Sequence, residues 1–239
     1  MLMRIDLRLF VAGLWVAGVV GFSAIGPVDL QAQKPRPYPA MAPLAQYMEP
    51  SAAEEAELAR SAAPASISAD AGVMVLGAHG YEQAAAGKNG FVCMVQRAWA
   101  AEPGWAEFWS TKNRSPICFN PAAVRSVLPE YLKRTEWVLA GVSEDGIVER
   151  TKAALAAKTL TAPEQGAMAY MMSKRQYLND GAVHWHPHLM FFVPQTEEAT
   201  WGANLAAPPV MGAQSKVDST TVFFVPVMAW SDGTPAPAM

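Results

Sequence analysis

Two stretches of uninterrupted apolar sequence decide the fold of this chain: Leu189-Met190-Phe191-Phe192-Val193 and Val222-Phe223-Phe224-Val225. We predict that they belong to two strands, His188 to Val193 and Thr221 to Val227. Strands with no polar alternation are usually covered on both faces and lie at the centre of a sheet. We therefore expect these two strands to form the middle of a buried sheet.

Further strands and helices are predicted upstream of the two apolar runs. The strands cover residues 73–76, 91–99, 117–119 and 167–172. Between the third and fourth of them, three helices are predicted, beginning at Pro121 after an Asn120 N-cap, at Pro129, and after Ser143. Residues 81–86 are predicted to form a helical turn. This order of strands, helices and strands predicts an α+β fold: a single domain with a mainly antiparallel sheet and two or three helices inserted between strands.

The first residues have the pattern of a signal peptide. Arg4 and Arg8 precede an uncharged apolar run from Leu9 to Gly26, and small residues follow it. We expect residues 1–32 to be removed by cleavage before Gln33, with a site after Gly26 as the alternative. Because a run of that length can barely span a bilayer, an uncleaved anchor is the competing interpretation.

The remaining chain, about 200 residues, has the size of one ordinary domain. Residues 33–66 are rich in proline and alanine and are predicted to form an extended arm. The arm carries one short helix, which begins at the capping box Ser51-Ala52-Ala53-Glu54 and ends near Ala62. Residues 67–239 are expected to form the α+β domain.

Cys93 and Cys118 both lie in the part of the chain that would be exported, and each has an apolar, strand-like setting. An even number of cysteines in an oxidising compartment predicts a disulfide. Two buried free thiols are the alternative. A catalytic thiol is disfavoured because no neighbouring residue would lower the pKa of either cysteine.

Three of the four histidines occur within five residues, His184-Trp185-His186-Pro187-His188. In an extended chain, His184 and His186 would lie on one face about 6–7 Å apart at Cα. Imidazole groups so placed suit zinc or copper, with Asp180 or His79 as a further ligand and His188 joining if Pro187 bends the chain. We therefore predict a metal or small-ligand site at this cluster. Histidines that only hydrogen-bond at the entry of a strand are the alternative.

Several classes of function are disfavoured by the sequence. The formal net charge of −3 argues against nucleic acid as a partner. No stretch after the signal peptide is long and apolar enough to span a membrane, so no membrane association is expected after cleavage. The chain contains no complete phosphate-binding loop and no nucleophile elbow, which leaves the question of an enzymatic activity open.

Five short segments together resemble an uncharacterised family of exported bacterial proteins. They are Asn89–Cys93, Pro116–Pro121, Tyr170–Ser173, His184–Phe192 and Trp201–Asn204. The resemblance covers roughly residues 55–235 and implies a bacterial protein that is periplasmic or secreted. It implies no activity and no site residue, so the function expected from sequence is an exported domain with a ligand or metal site at the histidines. A non-catalytic envelope or interaction protein without a metal is the alternative.

Overall fold

The computed structural model of the protein describes residues 36–204 and 209–238. The signal peptide expected at residues 1–32 lies outside the described residues. Residues 35–239 form one compact unit. In the part of the chain that the structure describes, no helix is long and apolar enough to cross a membrane.

Within residues 36–204 and 209–238, eight strands form one open sheet. Their bounds are β1 Gly72–Gly77, β2 Gly80–Ala85, β3 Val92–Gln96, β4 Ser115–Phe119, β5 Met168–Met171, β6 His188–Pro194, β7 Met211–Gln214 and β8 Thr220–Pro226. The strand order is β2-β1-β3-β4-β5-β6-β8-β7. Only β1 and β3 pair in parallel; every other neighbouring pair is antiparallel.

In the part of the chain that the structure describes, five α-helices accompany the sheet: α1 Ala52–Arg60, α2 Ala65–Ser68, α3 Pro121–Ser126, α4 Leu128–Leu139 and α5 Glu144–Ala156. The expected N-caps are present, because the side chains of Ser51, Asn120 and Ser143 accept hydrogen bonds from the first turns of α1, α3 and α5. The α+β class with a mainly antiparallel sheet is confirmed. Helices α3, α4 and α5 lie between β4 and β5, whereas α1 and α2 precede the sheet.

The two faces of the sheet are covered by different helices. On the first face, Ile117 and Phe119 of β4 pack with Leu128 under α3 and α4. On the second face, Cys93 and Cys118 pack with Leu58 of α1. Strands β3 and β4 are therefore buried on both sides, with every residue of β4 buried.

The compact unit extends N-terminal to the expected domain boundary at residue 67. Helix α1 is part of the core, and its Glu55 carboxylate lies 3.0 Å from the Arg97 guanidinium and accepts the Leu76 N–H. Both charged side chains are at most 3% exposed. Residues 47–63 are thus held to the sheet by buried contacts instead of forming a separate arm.

Two sequence expectations are wrong. Residues 81–86, expected as a helical turn, lie mainly in β2, the exposed edge strand that follows a tight turn at Gly80 with φ 131°. The apolar strands β6 and β8, expected at the centre, lie third and second from the other edge of the sheet. The centre is occupied by β4 and β5, and β7 was not expected because Met211-Gly212-Ala213-Gln214 is short and lacks strand-forming residues.

Candidate functional site

A cleft of about 470 Å³ lies against the first face of the sheet, beside α3 and α4. Its floor is apolar and is formed mainly by β6 and β8, where Met190 and Phe192 lie next to Val222 and Phe224. Trp105, Tyr131 and Trp185 add aromatic walls. On this face the helices pack mainly against the strands up to β5. Among the described residues, no helix covers the floor of the cleft.

The cleft explains why β6 and β8 are apolar on both faces without being central. On the second face, the Trp201 indole stacks on Phe223 with ring centroids 4.3 Å apart and also contacts Phe191 at 5.7 Å. On the first face, Met190 and Phe192 are buried beneath the cleft, and Val222 and Phe224 are partly buried. The apolar side chains of these strands therefore pack against Trp201 on one face and form the floor of the cleft on the other.

One end of the cleft is acidic. Glu130 of α4 forms an ion pair with Arg134 one turn further along the helix. Asp218, in the turn between β7 and β8, lines the same cleft, and its charge acts on the Glu130 carboxyl group. The pKa of Glu130 is raised to about 7, mainly by burial; the Arg134 charge lowers it and the nearby Asp218 charge raises it. Two carboxyl groups therefore face one guanidinium group.

Arg134 has little capacity left for an anion. Its Nη1 donates to the backbone oxygens of Ala100 and Ala101 at 3.2 and 3.0 Å, and its Nη2 donates to Glu130. The side chain is 5% exposed. Two of the three guanidinium nitrogens are thus held by protein groups, and Nε is buried without a partner.

Buried nitrogens without a hydrogen-bond partner occur on several cleft-lining side chains: Arg97, Arg134, Gln96 and Trp185. The last two are neutral donors. Gln96 is 6% exposed, and its Nε2 makes no hydrogen bond of good geometry, although the amide lies beside the hydroxyl of Tyr131, whose pKa is raised by burial. Trp185 Nε1 is likewise buried without a partner. A buried donor without an acceptor costs about 1–3 kcal/mol, so both positions are suited to an acceptor atom of a ligand.

The three predicted histidine ligands do not have equivalent environments. His184 is exposed, and its Nδ1 lies 2.9 Å from the Gln176 carbonyl oxygen. His188 is 4% exposed, and its Nδ1 lies 2.8 Å from the His186 carbonyl oxygen. Because a carbonyl can only accept, the proton of neutral His188 lies on Nδ1 and leaves an unprotonated Nε2. Burial lowers the pKa of His188, which keeps this ring neutral.

Of the three clustered histidines, His186 and His188 are the pair with a ring nitrogen that has no hydrogen-bond partner. The Nε2 atoms of both are buried and make no hydrogen bond. The further ligands considered from sequence do not join them: Asp180 binds Lys112 at 2.8 Å, and His79 lies in the β1–β2 turn, separated from β6 by β3, β4 and β5. Within residues 36–204 and 209–238, no group of three or more His, Cys, Asp or Glu side chains is arranged to hold a metal ion.

The histidine segment borders the cleft. Trp185 lines the cleft directly. The His188 ring meets the rings of Trp185 and Phe224 edge-on, with ring centroids 5.6 and 5.5 Å apart. Gln176 holds this segment in place, since its Nε2 donates to the Trp185 carbonyl oxygen at 2.8 Å. The residues that complete the site, Gln96, Glu130 and Asp218, were not found from sequence because they come from separate elements and belong to no local motif.

The two cysteines form a disulfide, as the sequence predicted. They occupy directly opposite positions in β3 and β4, with Cα atoms 3.9 Å apart. No family model, curated protein or solved structure matches the chain.

Proposed function

We propose that this chain is an exported bacterial protein that binds a small, largely apolar organic molecule in the cleft between α4 and the β6–β8 floor. The volume of about 470 Å³ lies within the range of small-molecule sites, which are typically apolar clefts with a few convergent polar groups. One observation carries the proposal: an apolar strand floor without a covering helix, bordered by the unpartnered donors of Gln96 and Trp185.

The ligand-binding proposal is tested with the uncharged apolar dye N-phenyl-1-naphthylamine, whose fluorescence rises in apolar surroundings. We expect the wild-type protein to bind the dye and Ala213→Trp to weaken binding at least tenfold. Ala213 lines the cleft from the edge strand β7, so an indole there occupies part of the ligand volume.

The matched control is Ala84→Trp, on the opposite edge strand β2 and outside the cleft. It carries the same change on an exposed alanine and should leave dye binding unchanged. Dye binding that Ala213→Trp does not weaken, or its absence in the wild type, would contradict the proposal and favour a non-catalytic interaction protein.

Export is the second part of the proposal, and it is supported by the disulfide and by the resemblance described above. Buried disulfides persist in oxidising compartments outside the cytosol. The test is mass spectrometry of the extracytoplasmic protein, which should lack residues 1–32 and begin at Gln33. An exported form that retains Met1 would contradict signal-peptide cleavage.

A further inference from the structure

The strand end that carries His186 and His188 runs beside an exposed methionine, Met228, which lies two residues after the end of β8. We infer that the Nε2 atoms of His186 and His188 and the Sδ atom of Met228 form a binding site for a Cu(I) ion. This inference goes beyond the proposed function, because none of the three residues lines the cleft.

The pairing of β6 with β8 determines which residues meet at this end of the sheet. The two strands are paired as far as His188, and the Val227 N–H donates to the Pro187 carbonyl oxygen at 2.9 Å. Continued by one position, the same antiparallel register puts His186 opposite Met228. Opposite residues of an antiparallel pair have Cβ atoms about 4.5–5.5 Å apart and share a face with the second residue along. The thioether therefore lies within reach of both imidazoles.

Both histidines have a ring nitrogen that the fold does not use. The Nδ1 of His188 lies 2.8 Å from the His186 carbonyl oxygen, so its Nε2 carries the free lone pair. A backbone carbonyl on the other ring nitrogen is a common arrangement in metal-binding histidines. His188 is 4% exposed, and in the described part of the chain neither Nε2 has a hydrogen-bond partner. Two imidazole nitrogens are therefore available to an ion.

Met228 is the second and independent part of the argument. It is 69% exposed, more than any other large apolar side chain among the described residues. A side chain so exposed contributes little to a core, and its sulfur is open to an ion that arrives from solvent. The exposure of Met228 thus supplies both a third ligand and an entry path.

The ligand set favours Cu(I) over the other ions that bind imidazole. Thioether sulfur is a soft ligand that selects Cu(I), whereas Cu(II) prefers tetragonal sites with nitrogen and oxygen ligands. Zinc sites usually have four ligands, and within residues 36–204 and 209–238 no further His, Cys, Asp or Glu completes such a set. The rings of Trp185 and Phe224 beside His188 also make the surroundings apolar, which disfavours a divalent charge without anionic ligands.

The test is an anaerobic titration of the untagged protein with Cu(I), in competition with the chromophoric chelator bicinchoninate. We expect one ion per chain and partial quenching of tryptophan fluorescence, because the Trp185 ring lies 5.6 Å from that of His188. His186→Ala and His188→Ala should each weaken Cu(I) binding at least tenfold, because even changes outside the ligand shell cost about 10–100-fold in metal affinity.

The decisive variant is Met228→Leu, which removes the sulfur at an exposed position and so leaves the fold intact. It should weaken Cu(I) binding about tenfold, and X-ray absorption at the copper edge should lose the sulfur neighbour that the wild type shows. Met211→Leu is the matched control, because Met211 is 47% exposed on β7 and carries the same change away from the histidines. This control should bind Cu(I) like the wild type.

The outcomes separate this inference from the proposed function. Equal Cu(I) affinity of the wild type and Met228→Leu, or zinc binding as tight as that of Cu(I), overturns the inference. A wild-type protein that binds N-phenyl-1-naphthylamine and no Cu(I) also overturns it, while the ligand-binding function stands. Met228→Leu should leave dye binding unchanged, because Met228 lies outside the cleft.

Discussion

The two parts of the sheet differ in what covers them. In the first part, β3 and β4 are buried on both faces, under α1 on one side and α3 and α4 on the other, and are joined by the disulfide. In the second part, β6 and β8 are covered by Trp201 on one face and form the floor of the cleft on the other. From this difference we predict that stability resides mainly in the first part, and that the proposed ligand binding depends mainly on the second.

Truncating one core residue in each part is the strongest test of this division. Ile117→Ala, at a fully buried position of β4, should lower the free energy of unfolding by about 4 kcal/mol through lost burial and a cavity. Val222→Ala, on the partly buried cleft floor, should cost about 1 kcal/mol and weaken dye binding. Urea denaturation measures both values. Equal losses in stability would show that the two parts are not distinct.

Removing the disulfide is expected to have the next largest effect. Replacing both Cys93 and Cys118 by alanine frees a loop with a sequence separation of 25 residues, which should cost about 3 kcal/mol in the chain-entropy model. Because the bond lies in the helix-covered part, dye affinity of the folded variant should stay within about twofold of the wild type. A variant that keeps its stability but loses dye binding would show that the disulfide supports the cleft and not the stability of the fold.

The pH dependence of stability should identify Glu130 as the titrating group of the cleft. Its pKa of about 7 lies above the usual value of 4.5, so the folded protein retains a proton that the unfolded chain releases. The stability contribution of this group is therefore lost as the pH rises from about 4.5 to 7. Glu130→Gln cannot ionise, and its stability relative to the wild type should increase by about 3 kcal/mol between pH 4 and pH 8.

The control for the Glu130 experiment is Glu136→Gln, an exposed acid on the same helix that is paired with Lys133. Its stability relative to the wild type should be nearly independent of pH in that window, because surface pairs contribute little. A Glu130→Gln profile parallel to that of the wild type would show that the carboxyl group is not buried as described. Urea midpoints at a series of pH values give both profiles.

The smallest expected effect concerns zinc at the border between the two parts of the sheet. His186 and His188 supply two unpartnered nitrogens, so the untagged protein should take up zinc only weakly. His186→Ala and His188→Ala should each weaken this uptake about tenfold, equivalent to about 1.4 kcal/mol. His184→Ala should change it less than twofold, because that exposed ring lies against Gln176. Tight zinc binding that depends on His184 would contradict this assignment and support the pair expected from sequence.

Most of the helices and the apolar strands could be predicted from sequence because their determinants are local. The caps at Ser51, Asn120 and Ser143 act within three residues of the chain, and each was found where it was expected. Strand β2 was mistaken for a helical turn because an exposed edge strand has no buried face to impose alternation. Residue propensities alone therefore predicted the wrong secondary structure for residues 81–86.

The positions of β6 and β8 and the chemistry of the cleft depend on tertiary structure. A continuous apolar run indicates that both faces avoid water, and it does not distinguish a second layer of structure from a cleft floor. Glu130 and Arg134 look like an ordinary surface pair on a helix. The turn at Asp218, 88 residues further along the chain, adds a second acidic side chain to the cleft that Glu130 lines.

Strand β7 has a consequence for how the cleft responds to its occupant. It pairs with β8 alone, lies at the edge of the sheet, and supplies Ala213 to the cleft. Amides in such an edge strand exchange with solvent through local opening, at a free energy well below that of global unfolding. A ligand held between α4 and the β7–β8 turn must be released when this hairpin opens, so occupancy should slow hydrogen exchange in residues 211–214 and leave the amides of β3 and β4 unaffected.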